Sequence, residues 1–596
     1  MPQKSEARHL LARLFPGHFI KGRPLEHNGR LSGVAVEDGL QVLKSVCNSD
    51  LTNPRNPKSL LKTGYDLFTA TKRSFEKSLS EQSVINYIMC YDKHKYVPDI
   101  KGQEQVDRDE NFIDDEDDSG SEAERKRKKK EERTPDDGIS FKDRRPYLLN
   151  NETIPADFQD ALHDRDDTRR EVIRCIVRSW LHPGSGCFAL DSVPSGKRLI
   201  VDGHCLTLED CEELGVKGTR PKTDEDAAKT PLVLGLPLIP EDFLQIEPYP
   251  YLTWGAELRN ENGEADFGIF YLWKQLCKLD QREYGLDMFS NDTDWMELAL
   301  VLLARQQACA GPIFWRYAPK PSWVLYTEHN KLSDEQWVDV SGLYQAIDAG
   351  AFSDDPPKKK PPPASKKRKQ EEENGPNNAK KRARPPPKGP LDEMTKEERE
   401  AYEIGLVVMK RQFFEDTENR VLSLVAALFA VGNDVLGGFK GLTHERFVDA
   451  MRIYGGYIGT LVKVGDQYSR GIMLDGAAYV RLIKTAYILA KKLKKEWKRK
   501  DGSKGAAPMH PEDKTVQQIR DMTERYVPEN RFPTDQYIIA SAHHLQYFLT
   551  LAWQVGEVHK LDEPDPLMYR YHKIDPKLPV SKTNLVREKA TYQQDE

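Results

Sequence analysis

Apolar and polar positions alternate in two rhythms along this chain, and each rhythm predicts a kind of element. Short apolar runs bounded by turn residues predict strands. They are Ser32–Asp38 (SGVAVED), Val84–Asp92 (VINYIMCYD), Lys197–Val201 (KRLIV), Thr230–Leu236 (TPLVLGL) and Gly311–Tyr317 (GPIFWRY). Recurrence near 3.6 residues predicts helices over Glu400–Val431 and Gly476–Arg499, with another at Thr443–Tyr454. Two more follow acidic turns: WMELALVLL after Asp294, and a helix after Asp266 with Phe267, Phe270, Tyr271 and Leu276 on one face. Strands alternating with helices predict an α/β fold built on a parallel sheet, with a mostly helical C-terminal region. The longest apolar run, Val421–Val431, is too short to span a bilayer and predicts a buried helix. No membrane association is expected.

Composition divides the chain. Hydrophobic residues are 38% and charged residues 31%, polar for a single globule. Residues 104–145 hold the acidic run Asp114–Asp118 and the basic run Arg125–Lys130 with almost no apolar residues. Residues 351–390 are rich in Pro and Lys. Neither segment can bury enough surface to offset its chain entropy, so both are expected to be disordered insertions. Three ordered blocks remain: 1–103, 146–350 and 391–596. The net charge of −6 conceals this segregation of acid and base. Arg8 and Arg13 in a Leu-rich start allow a mitochondrial presequence, which Glu6 disfavours.

The eight cysteines form no CxxC pair, and their scatter suits a reducing compartment. Cys205 and Cys211 beside His204 come nearest to a metal set; the plainer reading is reduced, partly buried thiols.

Acidic residues carry the chemistry. Four segments place carboxylates at the end of an apolar run or the start of a helix: Glu37 and Asp38, Asp92, Glu264 with Asp266, and Asp292 with Asp294. In open α/β sheets ligands bind beyond the carboxyl ends of the strands, so these acids are expected to converge there. The i, i+2 pairs project to one side where the backbone is extended. Clustered carboxylates repel unless cations neutralise them, and oxygen-only ligands suit Mg2+ or Mn2+. Two such ions about 4 Å apart can activate water and stabilise the leaving oxygen of a phosphodiester. Taken singly, each acid is more readily a solvated loop or helix-cap residue, and the pattern becomes informative only with order and context.

Read in order, the segments resemble the flap endonuclease/XPG family of structure-specific nucleases, which has a PIN-like fold. The strand Gly33–Asp38 is followed by Tyr91-Asp92 and, further on, Pro98, Lys101, Glu104 and Arg108. Then come Gly263-Glu264-Ala265-Asp266, Asp292-Thr293-Asp294, and Gly432-Asn433-Asp434 leading to Gly438-Phe439-Lys440-Gly441. The resemblance implies a PIN-like sheet flanked by helices and a helix–hairpin–helix-like element at about 415–465. It implies metal ligands at Glu37 or Asp38, and at Asp92, Glu264, Asp266, Asp292, Asp294 and Asp434. It also implies a two-metal, structure-selective 5′ nuclease acting on DNA with single-strand/double-strand junctions, or on RNA, in repair. Lys101 and Arg108, seven residues apart, would steer phosphate from an arch above the metals. Gly438, Lys440 and Gly441 would hold duplex phosphates through the backbone. Lys93 stands where the family has glycine.

The basic stretch Lys491–Lys500 suits phosphate or plain solvent. The clusters Lys366, Lys367, Arg368, Lys369 and Lys380, Lys381, Arg382, Arg384 resemble a bipartite import signal, which implies import receptors and a nuclear location. No sliding-clamp peptide is evident. The rival reading is a nuclease-like protein that binds nucleic acid or acts as a scaffold without cutting.

Overall fold

The computed structural model describes residues 4–21, 32–46, 63–80, 83–93, 167–182, 192–235, 251–290, 292–305, 311–317, 336–350, 418–432, 442–489 and 533–573, with a few isolated positions around 436–439 and 576–587. In chain order the first part is α1 (Lys4–Leu14), β1 (Phe19–Lys21), β2 (Ser32–Asp38), α2 (Gly39–Val46), α3 (Gly64–Ser80), β3 (Asn86–Cys90), α4 (Asp167–Leu181) and β4 (Arg198–Asp202). Then come α5 (Leu208–Glu213), α6 (Asp224–Ala228), β5 (Leu232–Gly235), β6 (Tyr251–Trp254), α7 (Ala265–Leu279), β7 (Gly285–Phe289), α8 (Asp294–Arg305), β8 (Ile313–Tyr317), β9 (Gln336–Asp339) and α9 (Val340–Asp348). The C-terminal region contributes α10 (Arg420–Phe429), α11 (His444–Ile458), β10 (Val462–Val464), β11 (Ile472–Leu474), α12 (Gly476–Leu489), α13 (Asp535–Ala552), β12 (Tyr571–Lys573) and β13 (Leu585–Arg587).

The expected α/β class holds, but the sheet is mixed rather than parallel. Nine strands run in the order β1-β9-β8-β7-β2-β3-β4-β5-β6. The central strands β8, β7, β2, β3 and β4 are parallel, while β5, β6, β9 and β1 add antiparallel edges. Thr230–Leu236 was expected to extend a parallel sheet. Its short connection from β4 carries only α5 and α6, and β5 returns beside β4 in antiparallel register. A parallel neighbour would need a crossover across the sheet face.

Alternation along the strands sorts the core into two layers. Val34, Val36, Ile88, Cys90, Leu286 and Met288 face a cluster that includes α1, α7 to α10 and the C-terminal helices. Ala35, Tyr87, Met89, Leu199, Val201 and Phe289 face the cluster of α2, α3 and α4. The run Val421–Val431 is indeed a buried helix, α10. The helix α1 packs Ala7, Leu10, Leu11 and Leu14 into the first layer, and Arg13 bonds Glu445 of α11 at 2.8 Å. No helix among the described residues is long and apolar enough to cross a membrane.

The strand order sets the location of the site. Connections from β2 to β3 and β3 to β4 run one way across the sheet on the α2–α4 face; β7 to β8 runs the other way through α8. The direction reverses between β2 and β7. In doubly wound sheets this reversal opens a crevice at the carboxyl ends.

Candidate active site

Four chain segments meet at that edge of the sheet. Asp38 ends β2, and its Oδ1 accepts the Gln41 N–H of α2 at 3.1 Å. Gln41 Oε1 accepts Ser290 Oγ at 3.2 Å, just beyond β7. The Asp292 N–H donates to Ser290 Oγ at 3.0 Å, and the Asp294 N–H donates to Asp292 Oδ1 at 3.2 Å. A relay of backbone and side-chain hydrogen bonds therefore links the Asp38 carboxylate to the backbone of Asp292 across the switch point. The circuit continues on the far side: Trp295 Nε1, one residue into α8, donates to Asp266 Oδ1 of α7. Glu264 is the N-cap residue of α7, and the Ala265 N–H donates to Asp92 Oδ1 at 3.0 Å. Asp92 follows β3, next to β2 in the sheet. Burial pushes the Cys90 thiol up, and the fields of Asp202, Asp38 and Asp92 add to it against Lys93.

The expected side-by-side projection of the i, i+2 acids is not what occurs. Asp266 and Asp294 lie in the first turns of α7 and α8, and Asp292, one residue before the α8 N-cap position Thr293, accepts the first helical N–H. Helix N-termini expose unsatisfied amides and a partial positive charge, so carboxylates are drawn there whatever else they do. Glu37 and Asp38 part company by strand alternation. Asp38 shares the face of Val34 and Val36, toward α7 and α8. Glu37 shares the face of Ala35 and accepts the Tyr87 hydroxyl, buried below α2 and α3.

An oxygen-only donor set of this kind suits a hard cation in its chemistry. Among the described residues, however, no group of three or more His, Cys, Asp or Glu side chains stands ready to hold a metal ion. The acids are gathered along one edge without closing around a common point. Asp434, Lys440 and Gly441 lie outside the described residues, as do Lys101, Arg108 and the clusters Lys366–Lys369 and Lys380–Arg384.

Gly438 is described, in the turn between α10 and α11. Gly432 has φ +107°, and a Cβ on it would lie 2.8 Å from Gly438 N; a Cβ on Gly438 would lie 2.2 Å from Val431 O. The turn thus folds back on itself at two glycines. Tyr537 Oη donates to Gly438 O at 3.2 Å and ties α13 to it.

Cys205, Cys211 and His204 do not form a metal site. His204 Nδ1 accepts the Leu206 N–H at 3.0 Å, which leaves Nε2 to donate to Thr230 O at 3.2 Å. Burial raises Cys205 to about 11 and Cys211 to about 12, so both stay protonated thiols. Burial also lowers His204 and His444 to about 4. Below pH 6.5 the unfolded chain takes up protons at these positions that the folded chain refuses until about pH 4. Stability is therefore fully present above 6.5 and falls across that window, by roughly 1–3 kcal/mol per histidine. Urea unfolding between pH 7 and 4.5 checks this, and His204→Gln with His444→Gln should flatten the slope.

Several contributors carried no signal in the sequence. Gln41, Ser290 and Trp295 join the acids only through the sheet. Asp202 ends β4 with the same acidic grammar, but its partner is Lys93 (Nζ to Oδ2, 2.7 Å). A cavity of about 800 Å³ opens elsewhere, between β11, α12 and α13, and none of the edge acids lines it.

Comparison with protein-family models and with curated proteins returns no match.

Proposed function

We propose that the protein is a metal-dependent, structure-selective nuclease of the flap endonuclease/XPG kind, with a PIN-like core. One observation carries the reading. Asp38, Asp92, Glu264, Asp266, Asp292 and Asp294, drawn from four separate segments, gather at the carboxyl edge around the β2/β7 switch point. Structural capping explains any one of these acids; it does not explain why six from four segments gather at one edge.

In this reading Asp38 is the first ligand and Glu37 supports the strand from the opposite face. Asp38, Asp92, Glu264, Asp266, Asp292 and Asp294 would hold Mg2+ or Mn2+, with Asp434 as a seventh ligand. Bound there, the ions would polarise an attacking water and stabilise the leaving oxygen of a phosphodiester. The residues of the chain itself orient. The Gln41–Ser290 relay holds Asp38 and Asp292 in fixed relation, while the Ala265 N–H and Trp295 aim Asp92 and Asp266. The α10–α11 turn, with Gly438, Lys440 and Gly441, would grip duplex phosphates through its backbone, as a helix–hairpin–helix does. Lys101 and Arg108 would steer the scissile phosphate.

Cleavage of a labelled flap or hairpin DNA in Mg2+ or Mn2+, abolished by EDTA, is the expected result. The rival reading, a nuclease-like protein that binds without cutting, is favoured by the lack of a closed ligand group among the described acids. It predicts retained binding with no product in either metal. For the basic segment, deleting Lys358–Arg384 should leave nuclease activity within about twofold while a tagged protein leaves the nucleus, because so polar a segment cannot belong to a core. Unchanged nuclear accumulation would assign import elsewhere.

A further inference from the structure

We propose that the buried ion pair Lys93–Asp202 is a positioning device for the corner that carries Asp92 and Glu264. Its consequence for catalysis rests on the nuclease reading; its consequence for the geometry of the corner does not.

The pair lies in the interior. The side chains of Lys93 and Asp202 are 3% and 2% exposed, with Nζ 2.7 Å from Oδ2. Desolvating two charges costs about as much as their attraction returns, so an apolar pair of the same size would serve stability equally well. What an ion pair adds is direction, because its hydrogen bonds run to specific partners; Oδ1 of Asp202 has none among the described residues, so the contacts fall on Oδ2 and on the lysine. Here those partners converge on one turn. Lys93 Nζ also donates to Asn262 O at 3.4 Å, and the Lys93 N–H donates to Gly263 O at 2.6 Å. Asn260 Nδ2 donates to the same Asp202 oxygen at 2.8 Å. Asn260 Oδ1 in turn accepts from Asn262 N at 3.1 Å and from Asn262 Nδ2 at 2.9 Å. The turn Asn260–Gly263 is thus clasped by the exit of β3 and the end of β4. It leads directly into Glu264 and the Ala265 N–H that meets Asp92.

Two further features show how closely the corner is built around this network. A Cβ on Gly268 of α7 would lie 2.5 Å from Asn260 Nδ2, so the helix approaches the network at a distance that glycine permits. From the other side the chain after α13 closes over the turn. Asn262 Nδ2 donates to Val558 O at 3.2 Å, and the Glu261 N–H donates to His559 O at 2.6 Å. The C-terminal region is thereby joined to the corner of the site. Lys93 touches none of the reacting groups in this arrangement. It acts through Asp92 and Glu264.

The test uses the full chain as wild type, Lys93→Met, Asp202→Asn and the double variant. Urea unfolding, amide exchange across residues 263–268, and calorimetric titration with Mn2+ without nucleic acid are measured on each. Lys93→Met strands a buried carboxylate, so its unfolding midpoint should drop; the double variant, neutral at both places, should regain most of the loss. A device that only stabilises would recover everything with it. A positioning device would not. The double variant is expected to exchange the Ala265 amide about tenfold faster than wild type and to bind Mn2+ about 10–100-fold more weakly, the usual cost of losing a partner that orients ligands. Wild-type exchange and wild-type Mn2+ affinity in the restored double variant would overturn the proposal. Should Lys93→Met fail to fold, Gly268→Ala, which displaces Asn260 without touching a charge, must produce the same faster exchange, or the proposal is wrong. If the wild type binds no Mn2+, the nuclease reading fails, and the exchange measurement alone decides the role of the pair.

Discussion

Asp292→Asn and Asp294→Asn are each expected to lower the cleavage rate by about 10²–10³-fold or more, with folding and nucleic-acid binding close to wild type. The asymmetry follows from what each oxygen does. Asp292 accepts the Asp294 N–H in an Asx-type turn at the entry to α8, and an asparagine keeps an oxygen in that position. Asp294 sits in the first turn of α8, where losing a negative charge costs only about 0.3–1 kcal/mol against the helix dipole. The fold therefore tolerates both changes. What the amides cannot replace is negative charge at the switch point, which a hard cation requires. Single-turnover cleavage paired with duplex-binding titrations separates the two effects. Wild-type rates in both variants would remove this pair from the active site. Asp292→Ala provides a contrast: it loses the hydrogen bond to the Asp294 N–H as well, and should cost about 1 kcal/mol of stability in addition.

Gly438→Ala should be the most damaging single methyl in the C-terminal region. Its Cβ would stand 2.2 Å from Val431 O, a backbone atom that cannot rotate away, and Gly432 beside it already has φ +107°. The α10–α11 turn must open, at a cost of roughly 1–3 kcal/mol, as for other overpacked sites. The rearrangement would also pull the Gly438 carbonyl from Tyr537 Oη. Melting temperature reports the loss of stability. Binding to duplex DNA reports whether the turn grips phosphate: affinity should fall for all sequences alike, because a backbone grip reads no bases. A variant that melts lower but binds duplex as tightly as wild type would leave the turn a structural link only. Gly456→Ala is the matched control, because a Cβ there meets nothing within 4 Å.

The boundary between what the sequence determined and what folding decided runs through individual residues. Local patterning was enough for the strands β2, β3, β4, β5 and β8 and for the helices α7, α8, α10, α11 and α12. Their apolar spacing records which face each buries, and burial is the largest favourable term available to them. The order of the acidic segments was likewise legible, since each ends an apolar run at a place where a chain leaves a strand or enters a helix. Pairing between distant strands is not written in any one window. Patterning therefore pointed to a parallel sheet where β5 in fact returns antiparallel beside β4, and it left open that β2 lies against β7 across some 250 residues of chain.

The same limit decided the site. Glu37 and Asp38 are adjacent and chemically alike, and only the pleat of β2 between β3 and β7 sends them to opposite faces. Asp92 and Asp202 end neighbouring strands with the same acidic signature. Tertiary packing gives Asp92 a helix amide and gives Asp202 the buried ammonium of Lys93. A carboxylate's role depends on what lies within a few ångströms of its oxygens, and those neighbours come from other segments of the chain. The sequence determined that acids would stand at the ends of strands and the starts of helices. Only the tertiary structure decided which of them would meet, because the sheet alone brings four distant segments to one edge.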